Sequence, residues 1–488
     1  MATADDAPEA YGPLLERVER VTTLDTVDNQ LFWDQQVMMP EGGTPARAKQ
    51  RGTLSALRHD LLTLDDLAGW LDDLDGAELA PEQAAVVREI RREHERAVRV
   101  PNELVERISE TTSDAHPKWK RAREEDDFEQ FAPILEELVE LKREYAAHVE
   151  PDAEPFEALY HDYEPYLPLS TAEETLDRLR DELVPLIDAV RESDVEPGAG
   201  VFAGTFDADE QMALSRAALD AVGFPWDHGR LDLATHPFSS GTTFDTRVTT
   251  RFDESDPIDG LAATLHEFGH SDYTLGLRED AFGTPLGEAR SHGVHESQSR
   301  FWENHVGRSE AFWEFFLPSM RERFPQVDAS PAAAYAAANA VDPGNYIRVE
   351  ADELTYHMHI VLRFEIERAL VNGDIEVREV PALWNEKSEA YLGLTPPTDT
   401  LGCLQDIHWS LGRIGTFQNY SVGSVLAAQL EHAMEADLGP VDEHVRAGEF
   451  DPIHDWLEEN VQSHGSRYRT DELVRQATGE SFTADYFL

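Results

Sequence analysis

The stretch from Asp256 to His270 constrains this chain more than any other, because it sets two histidines four residues apart in what reads as a helix: His266-Glu267-Phe268-Gly269-His270. Side chains at i and i+4 stand one turn apart on the same face, so both imidazoles can reach a single ion. The glutamate between them is left free to act as a base. Asp256 is placed to cap the amino end, and Pro257 takes the first helical position, where its missing N–H costs nothing. Ile258, Leu261, Leu265 and Phe268 follow the spacing of a buried stripe, and the histidines point away from it. Such a helix packs on its back and offers its ligands to a cleft.

With 19 histidines in 488 residues, a five-residue match can also arise by accident, so a third ligand matters. A metal ion that does chemistry normally takes three protein ligands and keeps a fourth position for water. Downstream lies Ser291-His292-Gly293-Val294-His295-Glu296, and Glu296 falls on what reads as the next long helix. His292 and His295 are rival third ligands that spacing alone does not separate from it.

The charge balance narrows the partners. Against 41 basic residues stand 97 acidic ones, a net charge of −56. A surface of that sign repels nucleic acid and anionic membrane. The acid is spread along the chain, which speaks against a disordered acidic tail. Only Lys49, Lys118, Lys120, Lys142 and Lys387 are lysines, the other basic residues being arginine. Dense carboxylate with scarce lysine is expected of a protein adapted to concentrated salt, where screening tames the self-repulsion. The single cysteine, Cys403, excludes an internal disulfide and fits a reducing compartment. With no secretion signal at the amino terminus and no apolar run long enough to span a membrane, a cytoplasmic location is expected.

Apolar periodicity predicts helices through most of the first 222 residues: one from Leu14 to near Pro40, then 45–73, 81–98, 101–113 and 117–149. Another is expected from Thr171, where Thr171-Ala172-Glu173-Glu174 has the form of a capping box. The one β region lies between Gly200 and Phe252, with strands at Arg230–Leu233 and within Thr243–Phe252. A small sheet beside the metal helix either braces it or holds an extended peptide by main-chain hydrogen bonds. Helices resume after residue 287. The Asp342-Pro343-Gly344-Asn345 turn stops one of them before a long helix expected over Ile347–Leu370.

Several ordered motifs resemble the thermostable carboxypeptidase (carboxypeptidase Taq) family of metallopeptidases over almost the whole chain. They are His236-Pro237-Phe238; Asp245, Arg247 and Thr249; the histidine pair; His295-Glu296-Ser297; Ile347-Arg348-Val349-Glu350-Ala351-Asp352; and Gly402-Cys403-Leu404-Gln405. Trp33-Asp34-Gln35 with Met39-Pro40 matches its amino-terminal segment. One departure is Gly415-Thr416-Phe417-Gln418-Asn419-Tyr420, where the family carries a Tyr-Phe-Pro-Thr-Tyr-like sequence and only part, including Tyr420, survives. The resemblance implies a mainly α, elongated molecule with a deep central groove and a small sheet beside the metal helix. It would be a single catalytic unit over 1–488, in which 1–222 covers the groove and 223–488 carries the metal site. It also implies a homodimer that removes single residues from peptide carboxyl ends. Its ligands would be His266, His270 and Glu296, its base Glu267, and its ion zinc, with cobalt as the alternative.

That chemistry asks for further groups. A donor must steady the oxyanion, and Tyr420 and His408 are the candidates. A cation must receive the substrate's terminal carboxylate, for which Arg348 is the first choice and Arg247 the second, since a guanidinium fork fits that group. His236 and Gln405 complete the expected substrate contacts. The rivals are an oligopeptidase or aminopeptidase with the same metal chemistry, and a non-catalytic peptide- or metal-binding protein.

Overall fold

A computed structural model describes residues 7–195, 198 and 200–488. Among them the chain forms nineteen α-helices and one three-stranded sheet. The metal helix spans Pro257–Leu275, and Asp256 caps it by accepting from the N–H groups of Ile258 (2.9 Å) and Asp259 (3.4 Å). Leu261, Leu265 and Phe268 are buried as the stripe requires. They belong to a core shared with Phe301, Trp302, Phe312 and Trp313. Burying such side chains stabilises by about 1.5–3 kcal/mol each, which holds the back of the helix firmly.

The sheet is the other support. Its strands are β1 (Gly229–Leu233), β2 (Ser239–Thr242) and β3 (Asp245–Thr250), in the order β1-β3-β2. The central strand β3 pairs in parallel with β1, Arg230 opposite Arg247, and antiparallel with β2, Ser239 opposite Val248. Gly260 lets the metal helix sit directly on β3, because a β-carbon there would stand 2.6 Å from the Phe252 ring and 2.9 Å from the Arg251 carbonyl oxygen. Thr250 and Thr264 then meet hydroxyl to hydroxyl at 3.1 Å. The helix Tyr11–Val37 reaches the sheet as well. Its Phe32 packs on Phe238 at 5.2 Å, and Trp33 lies under the guanidinium groups of both Arg230 and Arg247.

Four expected boundaries are corrected. The 45–73 helix is two, Thr44–Thr63 and Asp65–Asp73, separated by an extended Leu64; Asp65 and Asp66 favour a fresh amino end there. Pro117 does not break its helix, which runs Asn102–Glu125 with the ring on the solvent side. The break comes instead at Asp126, a left-handed residue with φ of 53°. The Thr171 box is not a start, because that helix begins at Leu169 and Thr171 already lies inside it. Finally, the long helix expected from Ile347 begins at Glu353. Asp352 takes the N–H groups of Leu354 and Thr355 (3.0 and 2.9 Å), and residues Arg348–Glu350 form a separate tight turn.

Candidate metal centre

The second site helix, His292–Arg300, starts at Ser291, whose hydroxyl accepts from Val294 N–H, and it continues into a π-helical turn, Phe301–Gly307. Glycines bring three helices close at this point. A β-carbon on Gly269, inside the histidine motif, would stand 2.4 Å from the Gln298 carbonyl oxygen. One on Gly423, in the Gln418–Leu438 helix, would stand 2.5 Å from Glu296 Cγ. Close helix approach is what lets a short carboxylate reach the histidine pair.

The result is a single convergent group. One ligand atom from each of His266, His270 and Glu296 lies within 4.8 Å of the others, and among the described residues this is the one cluster of three or more such side chains suited to an ion. Glu296 Oε2 is 3.4 Å from His270 Nε2 and 3.9 Å from His266 Nε2. Both histidines thus turn the same ring nitrogen to the centre. The rivals sit otherwise: His295 Nε2 faces the His270 carbonyl oxygen at 3.2 Å, and the His292 ring packs edge-on against Tyr163 at 5.0 Å.

Around the three, charges fix the donors. Burial alone would raise the Glu296 carboxyl, but Arg300, with His266 and His270, holds it well below the usual carboxylate range. Arg300 Nε donates to Glu296 Oε1 at 2.8 Å, leaving Oε2 for the centre. Glu303, on the π-helical turn, stands 2.9 Å from His266 Nδ1 and is itself held by Arg300 (3.3 Å) and Arg308 (3.1 Å). A carboxylate behind an imidazole fixes the ring's orientation and tautomer, so His266 presents a bare Nε2. Two neutral imidazole nitrogens and an ionised carboxylate suit a divalent ion of the zinc type. Glu303→Gln is therefore expected to weaken divalent-metal binding by about ten- to a hundredfold, read by competition with a chromophoric chelator; unchanged affinity would remove Glu303 from the site.

Glu267 is buried, and burial raises its carboxyl against the pull of His266 and His270, with the Ser239 hydroxyl of β2 beside it. Beyond the ligands a chain of contacts leads outward. The Arg300 guanidinium lies 4.5 Å over the Tyr356 ring, and the Tyr356 hydroxyl accepts from Arg348 Nη1 at 3.2 Å. Arg348 Nε bonds Asp406 Oδ1 at 3.0 Å, and Asp406 is shared with Arg363 at 2.6 Å. Arg348 also lies 5.2 Å over the Tyr420 ring, and the Tyr420 hydroxyl meets His408 Nε2 at 3.2 Å. Burial, reinforced by Arg348, pushes His408 down to about 3, and burial lifts Tyr420 to about 12. At neutral pH the pair is an uncharged imidazole and a protonated phenol.

Three expected substrate contacts lie in different settings. Arg247 makes two hydrogen bonds to Asp245 (3.1 and 2.7 Å) and stacks 4.3 Å over Trp33, which ties the first helix to the sheet. The Gln405 amide accepts from Arg348 N–H at 2.8 Å and donates to the Tyr346, Leu401 and Gly402 carbonyls at 3.1 Å, which shapes the Arg348 turn and leaves no donor over. His236 is exposed in the loop between β1 and β2. Glu303, Asp406, Arg363 and Tyr356 were not singled out from the sequence. Arg300 was within reach, four residues after Glu296 on one helix.

Comparison with known proteins now bears on the whole chain. The profile of the family described as carboxypeptidase Taq (M32) metallopeptidase matches residues 13–488. The chain belongs to this family. Thermostable carboxypeptidase 1 of Thermus thermophilus is 37% identical over 99% of this chain and 97% of its own. That of Pyrococcus furiosus is 36% identical over 98% and 97%. Among solved structures, the Pyrococcus furiosus carboxypeptidase superposes with a TM-score of 0.95 at 35% identity, covering 99% of this chain and 98% of that one. Trypanosoma cruzi metallocarboxypeptidase 1 gives 0.92 at 37% identity, covering 98% of both. The chain is a metallocarboxypeptidase of the carboxypeptidase Taq type, a helical hydrolase that uses a divalent metal and acts on peptides. No described helix is long and apolar enough to cross a membrane.

Proposed function

We propose that this carboxypeptidase holds one zinc ion on His266, His270 and Glu296, with cobalt as a substitute, and releases single residues from peptides with a free terminal carboxylate. The observation that carries this reading is the convergence of those three side chains beside a buried glutamate that is not itself in the cluster. His266, His270 and Glu296 would hold the ion, which when bound would supply Lewis-acid polarisation of water and carbonyl. Glu267 takes the water's proton and delivers it to the leaving amine; burial keeps its affinity for the proton high enough for both transfers. Tyr420, protonated at working pH, donates to the oxyanion, and neutral His408 accepts from it at rest. Arg348 receives the terminal carboxylate: after its bonds to Asp406 and Tyr356, Nη2 has no protein partner among the described residues. Gln405 and Asp406 hold that arginine in position, and Arg247 holds the first helix. The outer edge of β2, next to Ser239, is the place for the peptide backbone.

The test is the product ladder of one unblocked peptide and of its amidated twin, read by mass spectrometry with and without chelator. Loss of one residue at a time from the free peptide alone, abolished by chelation, supports the reading. Internal cuts in both peptides would overturn it.

We read the composition as that of a salt-adapted protein and infer, as the family resemblance implies, a homodimer, working in the cytoplasm. Raising KCl from about 0.1 M to molar levels shortens the Debye length from about 10 Å to about 3 Å. With a net charge of −56, the unfolding temperature and the activity should both rise steeply over that range. A flat melting temperature would count against salt adaptation.

A further inference from the structure

Basic residues are scarce here, and those around the site are mostly committed: Arg300 to Glu296 and Glu303, Arg348 and Arg363 to Asp406, Arg96 to Asp162 and Glu150. Lys142 and Arg413 are the exceptions. Among the described residues neither forms an ion pair with a carboxylate, and neither side chain makes a hydrogen bond. Lys142, one of five lysines in the chain, is half-buried all the same. Its nitrogen lies 5.6 Å over the Tyr145 ring, and burial lowers its proton affinity against the pull of Asp162, so a directly bonded carboxylate from outside would favour its charged form.

Lys142 packs against the turn that carries Arg413, which is itself exposed. Gly412 turns the chain at φ +65°, and a β-carbon there would stand 3.5 Å from Lys142 Cε and 3.9 Å from Nζ. Arg413 leaves the same turn one residue later. The turn is pinned: Arg413 N–H donates to the His408 carbonyl at 3.0 Å, and Glu367 accepts from Gly415 N–H (3.0 Å) and Trp409 Nε1 (2.7 Å). It therefore sits directly behind His408 and Tyr420. On its other side His292, one turn before Glu296, donates its N–H to the Tyr163 carbonyl at 3.2 Å and packs on that ring. The Arg413 charge acts on this group of side chains: after burial, it is the main influence holding His292 down, it adds to burial and Arg348 in lowering His408, and it partly opposes the burial that raises Tyr163.

We propose that Lys142 and Arg413 form a basic subsite beside the metal centre that receives the acidic side chain, aspartate or glutamate, of the substrate's carboxyl-terminal residue. The inference rests on the reading that Arg348 holds the terminal carboxylate. With that group on Arg348 and the scissile bond at the ion, the departing residue's side chain lies next to His408 and the turn that follows it. A guanidinium fork and an ammonium together suit a carboxylate, and on so acidic a protein the pair is a local attraction for it.

The test is a set of amino-blocked dipeptides ending in Asp, Glu, Leu or Lys, with kcat/KM measured at one KCl concentration. The wild type should favour Asp or Glu over Lys at the end by about tenfold or more, as expected for a charge-assisted contact. In Arg413→Gln the Asp-to-Leu ratio should fall about tenfold, and Lys142→Met should lower it in the same direction. Arg413→Glu should shift the preference toward terminal Lys, which loss of folding does not produce. Ratios unchanged across these variants overturn the subsite, whether all rates stay put or all fall together as for a residue holding the terminal carboxylate. A preference that follows the penultimate residue overturns it too. If the wild type cuts none of the four, the assignment of Arg348 and the terminal cut fails first.

Discussion

Replacing Glu267 by glutamine should leave the bound ion in place and lower kcat by about a thousandfold, the middle of the range for loss of a general base. The two halves of this expectation have separate physical grounds. Glu267 shares the helix with His266 and His270 but stands outside the cluster formed with Glu296, so the ligand set is untouched. Glutamine has nearly the same shape and still meets the Ser239 hydroxyl, so the helix and β2 keep their packing. What disappears is a basic oxygen able to take a proton from water and return it to the leaving nitrogen. Metal content measured on the purified variant and kcat on a free-ended peptide check both halves. Full turnover would move the base elsewhere; loss of the ion would make Glu267 a support of the ligand set. The non-catalytic binding alternative makes the opposite forecast, since a glutamate that moves no protons is replaced without effect on any rate.

The metal helix was legible because every signal for it is local. The cap, the proline, the stripe and the two histidines lie within fifteen residues and answer to one 3.6-residue period. The third ligand needed a second helix, and the sequence left Glu296, His292 and His295 open. The choice among them is made in three dimensions by Gly269 and Gly423, which admit close helix contacts, and by Arg300, which orients Glu296. Glu303 was out of reach for a different reason. It faces His266 only because the chain passes into a π-helical turn after Arg300, and a regular period does not forecast that. Arg247 and Gln405 show the converse. Their residue types suit a substrate contact, but Arg247 is tied to Asp245 and Trp33, and Gln405 to three backbone carbonyls, partnerships that motif membership alone does not reveal. The helix start at Glu353 was missed because Asp352 works as a cap, and an aspartate is equally at home within the helix pattern that surrounds it.

The amide of a good peptide substrate should be cleaved about a hundredfold more slowly than the free acid, or worse, and the reason lies in the Arg348 cluster. Two arginines share one aspartate, so the group carries one net positive charge in a buried setting where Arg348 is 8% exposed. Burial favours a neutral Asp406, yet Arg363 and Arg348 hold it well below the usual carboxylate range, so that net charge persists at neutral pH. A terminal carboxylate supplies the missing counter-charge and an acceptor for the spare Nη2; an amide supplies no charge and presents N–H groups to a guanidinium that cannot accept them. Hydrogen bonds to charged groups are worth about 1.5–3 kcal/mol, and the upper figure corresponds to about a hundredfold in kcat/KM. Arg348→Lys sharpens the test. It keeps the charge but not the planar fork that bonds Asp406 and Tyr356 while facing substrate, so free-ended peptides should slow markedly while amides, which gain nothing from the fork, change little. Equal rates on acid and amide in the native enzyme would sever Arg348 from substrate binding and make the same ion and base those of an oligopeptidase.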